Sequence, residues 1–424
     1  MDTIVALSSG RPPAAIGVVR ISGPAALAAA ARLAGPLPPP RRAGLRALRD
    51  RTGALLDRAL VLTFPGPDSA TGDDLVELHC HGGRAVIAAV EAALLEQDEV
   101  RAAQPGEFTR RALTNGRIDL AEAEGLADLL EAETEAQRRV ALAASEGAVS
   151  RAVRGWLDRL ADIAARVEAS LDFAEEDDLG SEAALLAGVR ADADLLRQEI
   201  EAVLSRPPVE RVRDGVRVVI GGPPNSGKST LLNLLTERDA AIVSPVAGTT
   251  RDRVEAPIQR SGVAYLLTDT AGLTDAVDPV ERIGVGLAEA AMEAADLLIW
   301  LGDEPPPRDD ALWVHARADL PGREVMPAGP TLAIRQDRAY SIAALWDAVA
   351  QRVEELLPTA DALPLRREQR EACANAGALL SLPADPLLAA EQLRIAAGAL
   401  GTVLGTNATE AMLEALFSRF CLGK

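Results

Sequence analysis

Gly222-Pro223-Pro224-Asn225-Ser226-Gly227-Lys228-Ser229 fits the pattern G-x-x-x-x-G-K-[ST] at every fixed position. The β-branched run Val216 to Ile220 feeds straight into it, and Leu231 to Leu235 follows with helical composition. In that setting successive backbone N–H groups wrap phosphates, and the helix N-terminus adds its dipole. Asn225, Ser226, Gly227 and Thr230 complete the cradle around Lys228. The Lys228 ammonium would reach the β- and γ-phosphates, and the Ser229 hydroxyl would bind Mg²⁺. Lysine usage adds weight. Of 44 Lys+Arg residues only Lys228 and Lys424 are lysine. A lysine kept against such a bias marks a place where a planar guanidinium does not substitute for a compact ammonium.

Further along, Tyr265 to Thr268 and Asp296 to Leu301 read as buried strands. Strands alternating with helices predict a parallel sheet. Gly248-Thr249-Thr250-Arg251-Asp252 offers a threonine that can close on Mg²⁺ and the γ-phosphate. Asp269-Thr270-Ala271-Gly272 follows a strand, where the carboxylate can hold Mg²⁺ through water and the Gly272 N–H can sense γ-phosphate. That order points to a GTPase rather than a generic ATPase. Leu273 and Thr274 stand where a Ras-like enzyme carries its water-orienting Gln, so another group must act. Glu281 is the available acid, although read alone it is a solvated helix-start residue.

The base-reading element departs from the usual Asn-Lys-x-Asp. Its counterpart is Ala316-Arg317-Ala318-Asp319, which keeps the carboxylate for guanine N1 and N2 protons and loses the first amide. That loss predicts weaker binding by ~1–2 kcal/mol. Arg317 can still stack on the base, and Arg335 to Ser341, where the later Ser-Ala loop would fall, is short and matches it poorly.

The chain of 424 residues, 48% hydrophobic and 25% charged, is long enough for two or three domains. Aromatics make up only 3%, so its cores must be built from Leu, Ala, Val and Ile. A net charge of −19 excludes a protein that coats nucleic acid by bulk electrostatics. The pairs Arg41-Arg42 and Arg110-Arg111 read as solvated surface. Cys80, Cys373 and Cys421 show no paired spacing, as in a reducing compartment. Neither a signal peptide nor a run of about 20 uncharged apolar residues is present, which predicts a cytoplasmic protein with no membrane association. Residues 1 to about 115 read as mixed strands and helices, and about 120 to 204 as long amphipathic helices. Helical composition returns after Arg366. The expected fold is multidomain α/β plus α: an N-terminal α+β domain over 1–117, and a discontinuous helical domain over 118–212 and 359–424. A phosphate-loop, Ras-like α/β module over 213–358 is inserted in it.

Taken together these segments resemble the bacterial tRNA-modification GTPase family MnmE (TrmE), nearly end to end. The likeness includes Asp2 to Ala6, Arg20-Ile21-Ser22-Gly23, Thr71-Gly72-Asp73-Asp74 and His81-Gly82-Gly83. It continues through Pro105 to Ala112, Asn115 to Leu120 and Phe420-Cys421-Leu422-Gly423-Lys424. The resemblance implies an N-terminal folate-binding and dimerisation domain, a helical domain and an inserted G domain. It implies a homodimer that joins a flavin-dependent partner, MnmG, in a heterotetramer acting on the wobble uridine of certain tRNAs. A carboxymethylaminomethyl- or aminomethyl-type group would be installed from 5-formyl- or methylene-tetrahydrofolate. By motif, Arg20, Glu77, Arg117 and Lys424 would contact the folate, Arg117 standing where lysine is usual. A K⁺ ion held by Asn225, Ser244, Val246 and Thr249 would replace an arginine finger, and Glu281 would activate water. Without the resemblance, Arg20 and Glu77 are a strand-surface ion pair.

Cys421 lacks a neighbouring His and reads first as a small hydrophobe. His79-Cys80-His81 is no zinc site, because a strand points Cys80 away from both histidines. Two other readings compete: a regulatory GTP-binding module, and a degenerate nucleotide domain serving as scaffold. Folate binding separates the first from the favoured reading, and hydrolysis separates the second.

Overall fold

The computed structural model describes residues 2–172, 179–236, 255–270, 281–336, 338–359, 361–421 and 423. The chain divides into two compact units. The first comprises Met1–Leu130, Ala144–Ala193 and Leu382–Lys424; the second comprises Glu131–Ala143 and Asp194–Ser381.

The first unit begins with β1 (Thr3–Leu7), β2 (Ile16–Ser22), β3 (Gly44–Arg49), β4 (Leu55–Phe64), β5 (Leu75–His81) and β6 (Val100–Ala102). They form one sheet in the order β3-β4-β5-β2-β1-β6, antiparallel except where β1 meets β6. Period-2 alternation sends Val19, Ile21, Val61, Val76, Leu78 and Cys80 to one face. There α1 (Ala26–Ala34) and α2 (Arg84–Leu95) cover them with Ala26, Ala29, Leu33, Ile87, Val90 and Leu94. Each fully buried aliphatic side chain stabilises the unit by roughly 1.5–3 kcal/mol. The opposite face carries Arg20, Leu60, Glu77 and His79. Leu45 and Leu60 are cross-strand partners there, 60% and 45% exposed.

Behind the sheet edge runs α3 (Glu107–Thr114). Arg110 and Arg111 part company on it. Arg110 reaches Glu410 at the surface, whereas Arg111 is buried, contrary to its reading as solvated. Its guanidinium donates to the Asp2 carbonyl (2.8 Å) and carboxylate (2.9 Å), to Glu107 (3.2 Å) and to Asp73 (3.4 Å). It ties the start of the chain to α3 and to the loop before β5.

The long proline-free stretch forms α4 (Leu120–Glu131), α5 (Glu135–Ser145), α6 (Ala148–Asp172) and α7 (Leu179–Leu204), as its composition predicts. The boundary between the units falls within α7.

In the second unit, α8 (Glu210–Arg213) leads into β7 (Val216–Gly221) and α9 (Lys228–Thr236). β8 (Glu255–Arg260), β9 (Val263–Asp269), α10 (Glu281–Ala294), β10 (Leu297–Trp300), β11 (Leu312–His315) and β12 (Leu332–Ala333) follow. The sheet order is β12-β11-β10-β7-β9-β8, parallel except for β8. From β7 the chain builds β9 on one side, then crosses to β10 on the other. The order therefore reverses at β7, where open α/β sheets leave a crevice beyond the strand ends. α11 (Ala339–Leu356) adds Leu345, Trp346 and Val349 to a core with Val218, Ile220, Leu267 and Ile299. α12 (Arg367–Leu379) completes the unit.

The chain returns to the first unit with α13 (Pro386–Val403) and α14 (Glu410–Phe417). α13 starts with Pro at its first turn, and the Asp385 carboxylate accepts from the N–H groups of Leu387 and Leu388. α14 delivers Leu416, Phe417 and Phe420 against Leu120, Ala123 and Ala127. Gly106 (φ 70°) lets this contact close, since a Cβ there would lie 2.6 Å from the Phe417 carbonyl oxygen. Among the described residues, no helix is long and apolar enough to cross a membrane.

Candidate functional site

β7 is fixed by two parallel neighbours and ends at the switch point, so the loop 222–227 emerges there. Gly222 (φ 150°), Asn225 (φ 61°) and Gly227 (φ 101°) turn the loop tightly. Lys228 is the first residue of α9 and is 8% exposed. Its Nζ donates to the carbonyl oxygens of Gly222 and Pro223, both at 3.0 Å. The ammonium is thus held over the loop by contacts that a phosphate can replace.

Ser229 Oγ donates to Asp269 Oδ2, joining α9 to the end of β9. Thr270 Oγ1 donates to the Ile220 carbonyl at 3.1 Å, tying that end to β7. Ser229 and Asp269 present hard oxygens side by side, a donor set suited to Mg²⁺. The Ser226 hydroxyl is buried without a hydrogen-bond partner.

The base-reading segment returns to the same loop. Arg317 takes φ 59°, and its Nη1 donates to the Asn225 carbonyl at 2.6 Å. Its stem lies 3.5 Å from where a Gly227 Cβ would stand. Asp319 accepts from the Gln336 N–H at 3.3 Å, so the residues after β12 flank its carboxylate. Ser341 accepts from the Arg335 N–H and donates to the Arg335 and Arg338 carbonyls. It closes the short turn that stands at the place of the Ser-Ala loop.

The structure therefore brings together Asn225, Ser226, Gly227, Lys228, Ser229, Asp269, Thr270 and Arg317, with Asp319 two residues beyond Arg317 against the Gln336 N–H. Ser244, Val246, Thr249, Thr250, Ala271 and Gly272 lie outside the described residues, and so does the side chain of Glu281. Thr230 is exposed on α9.

A second polar cluster sits on the open face of the first unit's sheet. Arg20 and Glu77 are register partners, with Nε and Nη2 of Arg20 at 3.2 and 2.8 Å from Glu77 Oε1. Glu77 Oε2 pairs with His79 Nε2 at 3.1 Å, and the Arg20 guanidinium lies 5.7 Å from the Phe108 ring centre. Burial pushes the Glu77 carboxyl up, but His79 and Arg20 outweigh it and hold the group below the usual glutamate range. His79 in this cluster was not signalled by the sequence, where it entered only in a zinc motif that strand geometry rules out. Arg117 lies 3.7 Å from Asp68, and Asn115 Nδ2 donates to the Thr71 carbonyl at 2.7 Å. Thr71 Oγ1 in turn bonds Ser22 Oγ at 2.7 Å, at the end of β2. Ser8 Oγ donates to the Gly423 carbonyl at 2.7 Å, so the C-terminal segment docks beside β1. Lys424 lies outside the described residues.

Burial pushes the Cys80 and Cys373 thiols up to about 12, whereas Cys421 is exposed. Cys80 faces the core and His81 the solvent, where Asp57 holds its ring at 2.7 Å. Among the described residues, no group of three His, Cys, Asp or Glu could hold a metal ion.

A phosphate loop at the switch point of a parallel sheet, with Ser and Asp meeting beside it, is the geometry of a phosphate-loop protein. Two family models match the chain. GTP-binding protein TrmE N-terminus matches residues 3–117, and MnmE helical domain matches residues 120–421. The tRNA modification GTPase MnmE of Erythrobacter litoralis is 50% identical over 428 residues, covering 100% of each chain. That of Novosphingobium aromaticivorans is 50% identical over 438 residues, again covering 100% of each. The Zymomonas mobilis protein of the same name is 45% identical over 434 residues with 100% coverage of both. The chain belongs to the MnmE (TrmE) family of tRNA modification GTPases, the family its motifs had indicated.

Proposed function

We propose that this chain is a K⁺-dependent GTP hydrolase of tRNA modification. With a flavin-dependent MnmG-type partner it would add a carboxymethylaminomethyl- or aminomethyl-type group to the wobble uridine of certain tRNAs. Residues 213–358 form a Ras-like G domain inserted in a helical domain of residues 118–212 and 359–424, behind a folate-binding and dimerisation domain of residues 1–117. The observation that carries the reading is the contact of Ser229 with Asp269 beside the Lys228-capped loop.

On nucleotide entry, Lys228 leaves the Gly222 and Pro223 carbonyls and turns its ammonium onto the β- and γ-phosphates. Ser229 and Thr250 would hold Mg²⁺, with the Asp269 carboxylate reaching it through water, and the ion would neutralise phosphate charge. Asp319 accepts the guanine N1–H and N2–H, and Arg317 lies along the base. Glu281 holds the attacking water, and the Gly272 N–H and Thr250 close on the γ-phosphate. Asn225, Ser244, Val246 and Thr249 are the oxygen donors for K⁺. In the first unit, Arg20, Glu77, Arg117 and Lys424 bind a tetrahydrofolate derivative. The alternating charges of Arg20 and Glu77 suit a ligand with both a pterin and a carboxylate, and the folate supplies the one-carbon unit. The exposed Leu45–Leu60 patch on the same sheet face supports a homodimer. The protein is cytoplasmic in this reading.

The test is GTP hydrolysis by the purified chain in matched KCl and NaCl, with ATP as control. Hydrolysis that needs K⁺ and prefers GTP supports the proposal. Equal rates in both salts remove the role of Asn225 and leave the regulatory module as the better reading. No hydrolysis in either salt favours the scaffold.

A further inference from the structure

The base-reading segment lacks its usual first amide, yet it is held by another residue. Leu320-Pro321-Gly322-Arg323 makes a tight reversal directly after Asp319. The Arg323 N–H donates to the Leu320 carbonyl at 3.0 Å, and Gly322 takes φ 84°. Proline second and a positive-φ glycine third is the type II turn. The reversal brings the Arg323 side chain back over the start of the segment. Its Nε donates to the Ala316 carbonyl at 3.2 Å. Its Nη1 and Nη2 donate to the two oxygens of Asp303 at 2.9 and 2.7 Å, a bidentate pair anchored in the loop after β10. That loop is pinned in its turn, since Trp313 Nε1 donates to the Gly302 carbonyl at 2.7 Å.

His315 closes the ring from below. It is 4% exposed, and its Nε2 lies 2.9 Å from the Arg323 carbonyl oxygen. A proton on Nε2 satisfies that carbonyl and leaves Nδ1 to accept from Arg323 Nη2 at 3.4 Å. Downstream, the Ala318 N–H donates to the Ile334 carbonyl at 3.0 Å, and Asp319 meets the Gln336 N–H. The segment is therefore clamped at both ends, and the clamp at the Ala316 end is the Arg323 guanidinium.

We propose that Arg323, oriented by Asp303 and His315, is a positioning residue for guanine recognition and takes over the structural part of the amide missing at Ala316. The inference rests on the GTP reading above. It follows that base selectivity depends on residues well outside the four-residue motif. The Arg323–Asp303 pair is partly exposed, so its effect is moderate and shows in selectivity rather than in folding.

The experiment measures Kd for GTP and for ATP on the full-length chain with Mg²⁺, for wild type and four variants. The variants are Arg323→Ala, Asp303→Asn, Ala316→Asn and the double variant Arg323→Ala/Ala316→Asn. Arg323→Ala weakens GTP about tenfold and ATP by less than about twofold, because ATP does not use the Asp319 carboxylate. Asp303→Asn shifts the ratio in the same sense by less, and adding Ala316→Asn to Arg323→Ala restores much of it. An unchanged GTP-to-ATP ratio in Arg323→Ala overturns the proposal. So does an equal loss for both nucleotides, which marks general loosening. If Arg323→Ala does not fold by circular dichroism, the isosteric Asp303→Asn decides by the same ratio. Wild type without preference for GTP sinks the guanine reading itself, and the proposal with it.

Discussion

Lys228 illustrates how one side chain ties sequence to chemistry. Its ammonium meets two carbonyls of its own loop at 3.0 Å, a geometry made for a compact cation with several donors. Lys228→Arg places a wide planar fork in that space, and nucleotide affinity should fall roughly tenfold or more in a fluorescence titration. The cysteines give an independent check. Cys80 and Cys373, with thiols raised to about 12 by burial, should resist a thiol reagent at pH 8, and exposed Cys421 should react. Native protein therefore releases one equivalent of chromophore per chain, and unfolded protein three. More than one in the native state would contradict the burial. Residues legible in the sequence were those fixed by local spacing: the loop from Gly222 to Ser229, Asp269 and Asp319. Arg111 was not legible. Its partners Asp2 and Asp73 lie 109 and 38 positions away, and adjacent arginines on a helix point in different directions. Arg323 was hidden likewise, because its task arises from a turn that folds it back onto Ala316.

Elements were read well wherever one period dominated. The reading of β7 over Val216 to Ile220 stopped one residue short, and in β4 a strand period is legible only in the second half, Ala59 to Phe64. The missed half, Leu55 to Arg58, does not alternate cleanly and includes Asp57, which turns to His81. On β5 and β2, Glu77 sets a pH dependence. Its folded pKa is depressed, so its contribution is complete above the ordinary glutamate value of about 4.3 and is lost as pH falls through the lower folded value. Glu77→Gln should lower thermal stability at neutral pH and converge with wild type as pH falls through that range, which flattens the acid limb. An unchanged acid limb would mean the cluster is not coupled to folding. On α3, Arg111→Met should destabilise the first unit by about 1–3 kcal/mol, since Asp73 loses its charged partner and Glu107 is left with Arg101 alone. Urea denaturation followed by circular dichroism measures it.

The molecule as a whole was foreseen as several domains with a phosphate-loop module between helical stretches, and its two sheets follow the expected segments. What spacing alone did not reveal is the composition of the units, because long-range packing decides it. α14 docks against α3 and α4, and the C-terminal segment against Ser8, so the first unit is made of both ends of the chain. The Leu45–Leu60 patch on its open sheet face makes a further prediction. If that face joins two copies, Leu45→Glu with Leu60→Lys converts a dimer to a monomer by light scattering; a persistent dimer places the interface elsewhere.

The shared ownership of the first unit has a consequence for biosynthesis. A ribosome delivers residues in order, and domains tend to form as their chain emerges. The sheet that begins at Thr3 leaves first, yet Gly106 waits for Phe417 and Ser8 for Gly423. All of the second unit, up to Ser381, has been delivered before either arrives. The unit whose sheet emerges ahead of the second unit is therefore completed only after it.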